Sequence, residues 1–512
     1  MAEGSTSRWE IELPDESATE ALAQRVAGLV HAGDLVTLSG DLGAGKTTLA
    51  RALIRVLTGE PELEVPSPTF TLMQIYEAPG FPIVHADLYR IKSPGELANL
   101  GWDEAAEGAL VLVEWADRAS DELPSDRLDI ALRIDPAKSE HYRAAVLTGR
   151  GAFAPRLAQT KALDDMLERV GWTEATRSFM QGDASTRAYE RLVHPDGRRA
   201  ILMISPRRAD GPPVRFGKPY SAIARLAEDI VPFLAVGGAL VARGYSAPEI
   251  YASEPEAGLA LLEDLGQDGV VDSNGPIPER LSVATAVLAS LHETVLPDWI
   301  DAQPEPYRIP PYDLEALSIE VELLVDWYAP HIARTQLSSG ARATFVNLWR
   351  ETLAEIVAAP ATWTLRDYHS PNLLWLPERE GLRKVGLLDF QDCVMGHPAY
   401  DVASLLQDAR VTVPDHLEIR LLGEYSRLRR QADPAFDIST FARAYAIMGA
   451  QRATKILGIF ARLDKRDRKP QYLAHLPRVQ HYLAKDLAHP ALAQMRGWYE
   501  ANLPQLLGKT GA

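Results

Sequence analysis

The spacing of hydrophobic and polar residues divides the first 150 positions into short apolar runs and two longer amphipathic stretches. Runs that are continuous or alternating predict strands, and apolar positions three and four apart predict helices. Strands are predicted at 9–13, 35–38, 71–76, 83–90, 109–115, 127–134 and 142–148. Helices are predicted at 16–31 and 49–57. Because helices do not separate the strands regularly, we expect an α/β domain with a mixed sheet.

The rest of the chain follows a different pattern. Two strands, 188–193 and 199–204, flank a Pro-Asp-Gly turn and predict a hairpin, with a helix before it at 163–170. Positions 149–161 contain glycines and a proline without clear periodicity, which indicates a linker. We therefore predict a first domain, a linker and a second domain at 1–150, 151–162 and 163–512.

Composition is that of globular domains, with 512 residues of which 46% are hydrophobic and 24% charged. The single cysteine, Cys393, excludes an intramolecular disulfide and a cysteine-based zinc site. We see no N-terminal export signal, and the most apolar run, 230–242, is too short to span a bilayer. A cytoplasmic protein without membrane contact is expected.

The negative charge is concentrated in the first domain. The chain has a net charge of −17, and residues 1–150 hold 25 acidic against 13 basic residues. An acidic domain is a poor candidate to grip a nucleic acid backbone alone. If this domain acts on nucleic acid, we expect partner proteins to make the contacts.

The sequence GDLGAGKTT follows a predicted strand and opens a predicted helix, which is the context of a phosphate-binding P-loop. In such a loop the glycines let backbone N–H groups surround phosphate oxygens. A P-loop lysine reaches the β- and γ-phosphates, and the next hydroxyl ligates Mg²⁺. A glycine-rich turn without a ligand is the alternative. The residues expected to contact ATP are Gly40, Gly43, Gly45, Lys46, Thr47 and Thr48.

Two acidic residues at the ends of predicted strands are candidates for the chemistry of this site. Asp87 ends an alternating strand, where a carboxylate can orient the attacking water. Glu114 ends a buried strand, the position at which P-loop enzymes keep an acidic metal partner. The hydroxyls of the loop 66–70 are expected to face the γ-phosphate. A solvated strand-end glutamate and a plain turn remain alternatives.

The motifs GDLGAGKTT, SPTF, HADLYR and VEW, in this order, closely resemble the TsaE family. That family is the ATPase subunit of the bacterial system that makes threonylcarbamoyladenosine (t⁶A) at position 37 of tRNA. The resemblance implies ATP hydrolysis in complex with the threonylcarbamoyl-transfer proteins of the TsaB and TsaD type, with tRNA contacted only indirectly. It implies that Lys46 and Thr47 bind phosphate and Mg²⁺, that Glu114 is a metal partner and Asp87 a catalytic acid, and that Trp115 matches the family's tryptophan at the nucleotide.

Residues 365–372, LRDYHSPN, and 387–392, LLDFQD, contain the spacing of a kinase active site. Kinases place a catalytic Asp five residues before an Mg²⁺-binding Asn, and a second metal-binding Asp follows a short hairpin. Asp367, Asn372 and Asp389 reproduce that order. Asp367 would accept the proton of the substrate hydroxyl, and the other two would hold Mg²⁺. Turn-forming Asp and Asn residues are the alternative.

One expected part of a kinase is missing, because the second hairpin strand has no lysine for the α/β-phosphates. Arg187, Arg198 or Arg199 is a possible replacement, since a guanidinium also binds phosphate. The small-residue loop 181–187 is a candidate for covering the phosphates. The backbone of the strand that begins at 259 is a candidate for the hinge that holds adenine.

The motifs GDASTRAYERL, LLEDLG, LRDYHSPNLLWLPER and GLLDFQD resemble the aminoglycoside-phosphotransferase-like sugar kinases of the AmgK type. That resemblance implies an α+β bilobal protein-kinase-like fold and phosphorylation of the anomeric hydroxyl of N-acetylmuramate and N-acetylglucosamine in cell-wall recycling. It also implies hinge contacts near Glu263 and Leu265 and a bracing role for Asp401. Two alternatives stay open: a kinase for another small alcohol, and a non-catalytic module that binds nucleotide or sugar.

Overall fold

A computed structural model of the chain describes residues 5–91, 102–118, 123–180, 187–208, 211–302 and 305–508. The chain divides into two compact units, Met1–Thr173 and Glu174–Ala512. Each unit has its own hydrophobic core.

The first unit is built on a seven-stranded sheet. Its strands in spatial order are Thr6–Leu13, Arg143–Arg150, Arg127–Ile134, Leu35–Ser39, Leu110–Glu114, Ile83–Asp87 and Met73–Tyr76. The central pairs are parallel and the outer pairs antiparallel, which confirms the predicted mixed sheet. In the parallel register Asp87 lies opposite Glu114, so two of the predicted acids meet at one edge.

The described part of this unit contains four α-helices, at Glu16–Ala27, Lys46–Thr58, Trp102–Ala106 and Phe153–Arg169. The first begins at Asp15, whose carboxylate accepts the backbone N–H of Ala18 at 2.9 Å. The second lies between Gly45 and Gly59, which have positive φ angles of 100° and 73°. These glycines allow the chain to enter and leave the helix in a left-handed conformation.

The region predicted as a linker, 151–162, differs in the structure, where it forms most of the helix Phe153–Arg169. Phe153 and Leu157 are buried in the core of the first unit, which extends to Thr173. Pro155 lies in the first turn, where a helix needs no N–H from that residue. The proline that suggested a linker is therefore compatible with a helix start.

The second unit begins with a five-stranded antiparallel sheet. Its strands in spatial order are Ile250–Glu254, Leu259–Glu263, Arg199–Ile204, Ala188–Val193 and Thr176–Met180. The two hairpin strands have the predicted bounds. The loop expected to cover the phosphates lies, for residues 181–186, outside the described residues.

Helices dominate the rest of the second unit. They span Tyr220–Ile223, Val231–Ala242, Pro278–Leu291, Leu314–Leu323, Ala329–His331, Ser339–Ala358, Ala399–Leu406, Asp415–Ala432, Ile438–Lys465, Leu476–Asp486 and Ala493–Asn502, with a π-helix at Leu324–Tyr328. Two short hairpin-like pairs frame the motif region, Leu373–Trp375 with Val385–Leu387 and Thr362–Thr364 with Val394–Gly396. Three further short pairs are Pro213–Arg215 with Lys218–Pro219, Val271–Asp272 with Gly275–Pro276, and Trp299–Ile300 with Tyr307–Arg308. A sheet lobe followed by a helical lobe is the predicted bilobal kinase-like arrangement.

Within the described ranges, no helix combines the length and the apolar character needed to cross a membrane.

Candidate functional site

The P-loop of the first unit forms a cradle that depends on glycine. Gly40 has a φ of 132°, and a Cβ there would lie 2.3 Å from the carbonyl oxygen of Leu132. Gly43 and Gly45 also have positive φ angles, of 80° and 100°. Only glycine combines this conformation with so close a backbone approach. The local sequence therefore dictates the shape of the loop.

Lys46 lies at the base of this loop and is buried. Its Nζ donates to the carbonyl oxygens of Gly40 and Asp41 at 2.8 and 2.9 Å. The same nitrogen lies 3.6 Å from the ring centroid of Trp115, a residue with a φ of 60°. Burial lowers the pKa of Lys46, while the nearby carboxylates of Glu114 and Asp87 act to raise it.

Thr47 and Glu114 meet directly. The Thr47 hydroxyl donates to Oε2 of Glu114 at 2.9 Å. The other carboxylate oxygen, Oε1, lies 3.0 Å from Nε2 of His85, and both of these side chains are buried. The predicted metal-ligating pair is thus brought together, and His85 is an additional member that sequence reasoning did not assign.

Asp87 is held by the loop that contains the SPTF motif. Its Oδ2 accepts the hydroxyls of Ser67 and Thr69 at 2.7 and 2.9 Å. Its Oδ1 accepts the backbone N–H of Tyr89 at 2.9 Å. These three donors hold the carboxylate in one orientation. The loop hydroxyls, expected to face phosphate, contact this carboxylate.

One cavity of about 570 Å³ collects these side chains. The predicted residues that line it are Gly43, Gly45, Lys46, Thr47, Thr48, Asp87, Glu114 and Trp115. Gly40 shapes the loop from outside the lining. Leu42, Ser67, Thr69 and Tyr89 complete the wall.

The second candidate site lies in the second unit, where Asp367, Asn372 and Asp389 converge. The Nδ2 of Asn372 donates to the backbone carbonyl of Asp367 at 2.9 Å and to Oδ2 of Asp389 at 3.4 Å. Asp389 has a φ of 55°, which belongs to the left-handed region. Such strain persists only where surrounding contacts enforce it, and it is concentrated at functional sites.

Asp401 supports the loop before Asp367. Its two carboxylate oxygens accept the backbone N–H groups of Leu365 and Arg366 at 2.6 and 2.9 Å. Arg366 has a φ of 66° and its buried guanidinium pairs with Glu320. The expected bracing contact is therefore present, and the local backbone strain has an identifiable restraint.

Charges around the two aspartates act in opposite directions. Burial, reinforced by the Asp367 carboxylate, raises the pKa of Asp389. Burial also acts to raise the pKa of Asp367, but its electrostatic interactions with His369, Lys455 and two nearby arginines outweigh burial and lower it. The arrangement favours an ionised Asp367, the form that accepts a proton.

A cavity of about 430 Å³ is lined by all three of these residues. Arg187, Arg208, His369, Gln391, Asp392 and Arg410 are also in its wall. Arg187 is one of the three arginines named from the sequence as replacements for the missing lysine. Arg208, Arg410 and Gln391 were not assigned, because nothing in their local pattern distinguishes them from surface residues. Neither predicted hinge residue lines this cavity. The Glu263 side chain pairs with Arg379, and Leu265 is 9% exposed.

The donor atoms fit a hard divalent cation. Asn372 and Asp389 offer amide and carboxylate oxygens, and Thr47 with Glu114 offers a hydroxyl and a carboxylate. Among the described residues, no group of three His, Cys, Asp or Glu side chains is close enough to hold a metal alone. Sites that bind Mg²⁺ through one or two carboxylates together with substrate phosphates have this composition.

Comparisons with known proteins match each unit separately. The family model described as "Threonylcarbamoyl adenosine biosynthesis protein TsaE" matches residues 13–143, and that of the "Phosphotransferase enzyme family" matches residues 176–436. The N-acetylmuramate/N-acetylglucosamine kinase of Caulobacter vibrioides is 37% identical over 350 residues, which is 66% of this chain and 95% of that protein. The tRNA threonylcarbamoyladenosine biosynthesis protein TsaE of Rickettsia bellii is 40% identical over 122 residues, or 24% of this chain and 84% of that protein.

Among solved structures, YdiB of Bacillus subtilis is similar to 32% of this chain over 99% of its own length, with 30% identity and a TM-score of 0.26. The fold, the two sites and the family matches define an enzyme of the phosphotransferase class joined to a P-loop unit. The chain belongs to the TsaE family through its first unit and to the phosphotransferase enzyme family through its second.

Proposed function

We propose that the first unit hydrolyses ATP in support of t⁶A formation at position 37 of tRNA. We propose that the second unit transfers a phosphoryl group from ATP to the anomeric hydroxyl of N-acetylmuramate and N-acetylglucosamine. The observation that supports the kinase most strongly is the convergence of Asp367, Asn372 and Asp389 in one cavity. The acceptor and the tRNA modification are proposed by similarity to the Caulobacter vibrioides kinase and the Rickettsia bellii TsaE protein.

In the proposed kinase reaction, Asp367 accepts the proton of the anomeric hydroxyl as the oxygen attacks the γ-phosphorus. The bond between that phosphorus and the β,γ-bridging oxygen breaks, and ADP leaves. Asn372 and Asp389 are the side chains that would hold Mg²⁺, which neutralises charge on the phosphates when bound. Asp401 keeps the backbone before Asp367 in place through two N–H bonds. We still predict that the backbone near Glu263 and Leu265 forms the hinge that binds the adenine ring of ATP.

In the proposed ATPase reaction, Lys46 leaves its two carbonyl partners and binds the β- and γ-phosphates. Thr47 and Glu114 are the residues that would hold Mg²⁺. Asp87, already fixed by two hydroxyls, orients the water that attacks the γ-phosphorus and takes its proton, while ADP leaves. Trp115 lies against Lys46, which supports its predicted role in binding the nucleotide.

The partners proposed for the first unit are threonylcarbamoyl-transfer proteins of the TsaB and TsaD type. The excess of acidic residues in 1–150 supports this proposal, because a negatively charged unit binds the phosphate backbone of tRNA poorly. Partner proteins would then make the contacts with tRNA. A cytoplasmic location follows from both proposed reactions.

The kinase is tested by incubating the whole chain with ATP, Mg²⁺ and each sugar, and by analysing the product by ³¹P NMR and mass spectrometry. We expect an acid-labile sugar 1-phosphate from both sugars. The matched control substrate is 1-deoxy-N-acetylglucosamine, which lacks only the anomeric hydroxyl and should remain unphosphorylated. Phosphorylation of this analogue would contradict the anomeric position.

A second candidate function is phosphorylation of another small alcohol, since Asp367 and its loop serve many acceptors on this fold. The third is a non-catalytic sugar- or nucleotide-binding module, which the missing strand lysine favours. Turnover of other alcohols but neither sugar would support the former. Binding without turnover across the whole panel would support the latter.

The ATPase is tested in a reaction reconstituted with TsaB- and TsaD-type proteins, tRNA, a preformed activated threonylcarbamoyl donor and ATP. We expect t⁶A to accumulate only when this chain is present. An authentic TsaE serves as the positive control and should restore t⁶A formation in the same mixture. If it does so while this chain leaves the t⁶A yield the same as in its absence, the proposal is contradicted.

A further inference from the structure

The second unit lacks a lysine on the strand Arg199–Ile204, yet an arginine occupies the neighbouring position in space. Arg187 directly precedes the strand Ala188–Val193. In the register of this hairpin, Ala188 is paired with Ile204. Arg187 therefore lies beside the end of the strand on which kinases usually place their phosphate-binding lysine.

Arg187 contacts Asp389, one of the two residues proposed to bind the metal ion. Its Nη1 donates to Oδ1 of Asp389 at 3.0 Å, and its side chain is only 7% exposed. It lines the same cavity as Asp367 and Asn372. The other two candidates differ: Arg198 pairs with Asp196 in the exposed hairpin turn, and Arg199 is exposed.

The Oδ1 atom of Asp389 accepts two donors. Besides Arg187, it accepts Nε2 of Gln391 at 2.6 Å. A carboxylate that ligates a cation has less electron density to offer such donors, so cation binding weakens the contact with Arg187. A guanidinium has five N–H donors in a planar fork that matches phosphate oxygens.

We propose that Arg187 binds the phosphates of ATP in place of the absent strand lysine. In the nucleotide-free chain Asp389 holds this guanidinium at the cavity, and it exchanges the carboxylate for phosphate oxygens when Mg²⁺ and ATP bind. This inference deepens the proposed kinase function and rests on it.

The test measures nucleotide affinity by isothermal titration calorimetry, in a Lys46→Ala background that removes binding at the first site. The variants are Arg187→Met, Arg187→Lys and, as a matched control, Arg198→Met. We expect Arg187→Met to weaken MgATP binding by about tenfold or more, with adenosine binding unchanged within about twofold. Arg187→Lys should recover part of the loss, and Arg198→Met should behave as the parent chain.

Several outcomes would overturn the inference. One is unchanged MgATP affinity in Arg187→Met, and another is an equal loss for adenosine, which indicates damage to the pocket as a whole. Should Arg187→Met not fold, as judged by its thermal unfolding, Arg187→Lys and Arg187→Gln give the same comparison. If the parent chain with Lys46→Ala binds no MgATP at all, the proposed kinase function itself fails, and that result is distinguishable from either outcome.

The exchange of partners has its own readout. Titrations of ATP in EDTA and in Mg²⁺ measure how much Arg187→Met weakens the affinity for ATP under each condition; this loss of affinity is the penalty of the substitution. We expect the smaller penalty in EDTA, because Asp389 then keeps its hold on the guanidinium. Equal penalties would overturn the exchange while leaving phosphate binding in place.

Discussion

The hydroxyl of Thr47 donates to the carboxylate of Glu114 at 2.9 Å, although 67 residues separate them in the chain. The contact exists because the strands Leu35–Ser39 and Leu110–Glu114 are adjacent and parallel, with Leu38 opposite Glu114. A P-loop hydroxyl and a strand-end acid thus share one edge of the sheet. This is the arrangement in which both residues can contact the same cation.

Replacing Glu114 with glutamine should damage the first site selectively. The amide keeps the size of the side chain but removes the charge that favours a cation beside Thr47. We expect t⁶A formation in the reconstituted reaction to fall about 10- to 100-fold and to recover partly at high Mg²⁺. Sugar phosphorylation should be unchanged. Glu12→Gln, at an exposed acid paired with Lys138, is the control; equal losses in both variants would contradict a role at the site.

Spacing in the sequence was sufficient to predict the P-loop and the order Asp367, Asn372 and Asp389, because those contacts form within one loop or across one hairpin. The hydrogen bond between His85 and Glu114 could not be predicted from the sequence, because it depends on which strands are adjacent in the sheet. The pair formed by Arg187 and Asp389 spans 202 residues and two elements. Such contacts depend on tertiary packing and leave no local signal.

The helix Phe153–Arg169 shows a different kind of failure. Glycines before it and Pro155 within its first turn have the composition of a linker. Phe153 and Leu157 are buried in the core of the first unit. Their apolar side chains indicate a helix only once it is known that the sheet provides a surface against which they pack. Packing, rather than local propensity, stabilises this helix.

Gly237 should be intolerant of a methyl group, although it lies within the helix Val231–Ala242. A Cβ there would come within 3.0 Å of two ring carbons of Phe390, which also stacks on Phe233 at 4.9 Å. Because Phe390 follows Asp389 directly, we expect Gly237→Ala to displace that carboxylate. The KM for ATP in the sugar kinase assay should rise severalfold.

The neighbouring glycine provides the control for that experiment. A Cβ at Gly238 meets nothing within 4 Å. Gly238→Ala should therefore leave the KM unchanged and stabilise the helix by about 1 kcal/mol, measured by urea unfolding. If both variants gain stability and keep the parent KM, the packing of Phe390 does not position Asp389.

His292 should make the stability of the second unit depend on pH. Burial lowers the pKa of His292 to about 3, against an ordinary value of 6.5. Its Nδ1 lies 3.0 Å from the Tyr425 hydroxyl, and Nε2 lies 4.0 Å from Asp401. Because the folded state binds this proton more weakly, the contribution of His292 is present above pH 6.5 and is lost as the pH falls toward 3.

The variant His292→Gln removes this titration and keeps a polar side chain. As the pH is lowered from 6.5 to 4, the unfolding free energy of the variant should improve relative to the parent by about 1.4 kcal/mol per pH unit. Urea unfolding at a series of pH values measures the difference. A difference that does not change with pH would contradict the burial of a neutral imidazole.

The chain is proposed to contain two independent ATP-dependent sites. Measuring one substitution from each site in both activity assays tests this most directly. Lys46→Ala and Asp367→Asn are each measured for t⁶A formation in the reconstituted reaction and for sugar 1-phosphate production. We expect Lys46→Ala to lower t⁶A formation about 100-fold or more and to leave sugar phosphorylation intact. Asp367→Asn should do the reverse. Loss of both activities in either variant would contradict the claim.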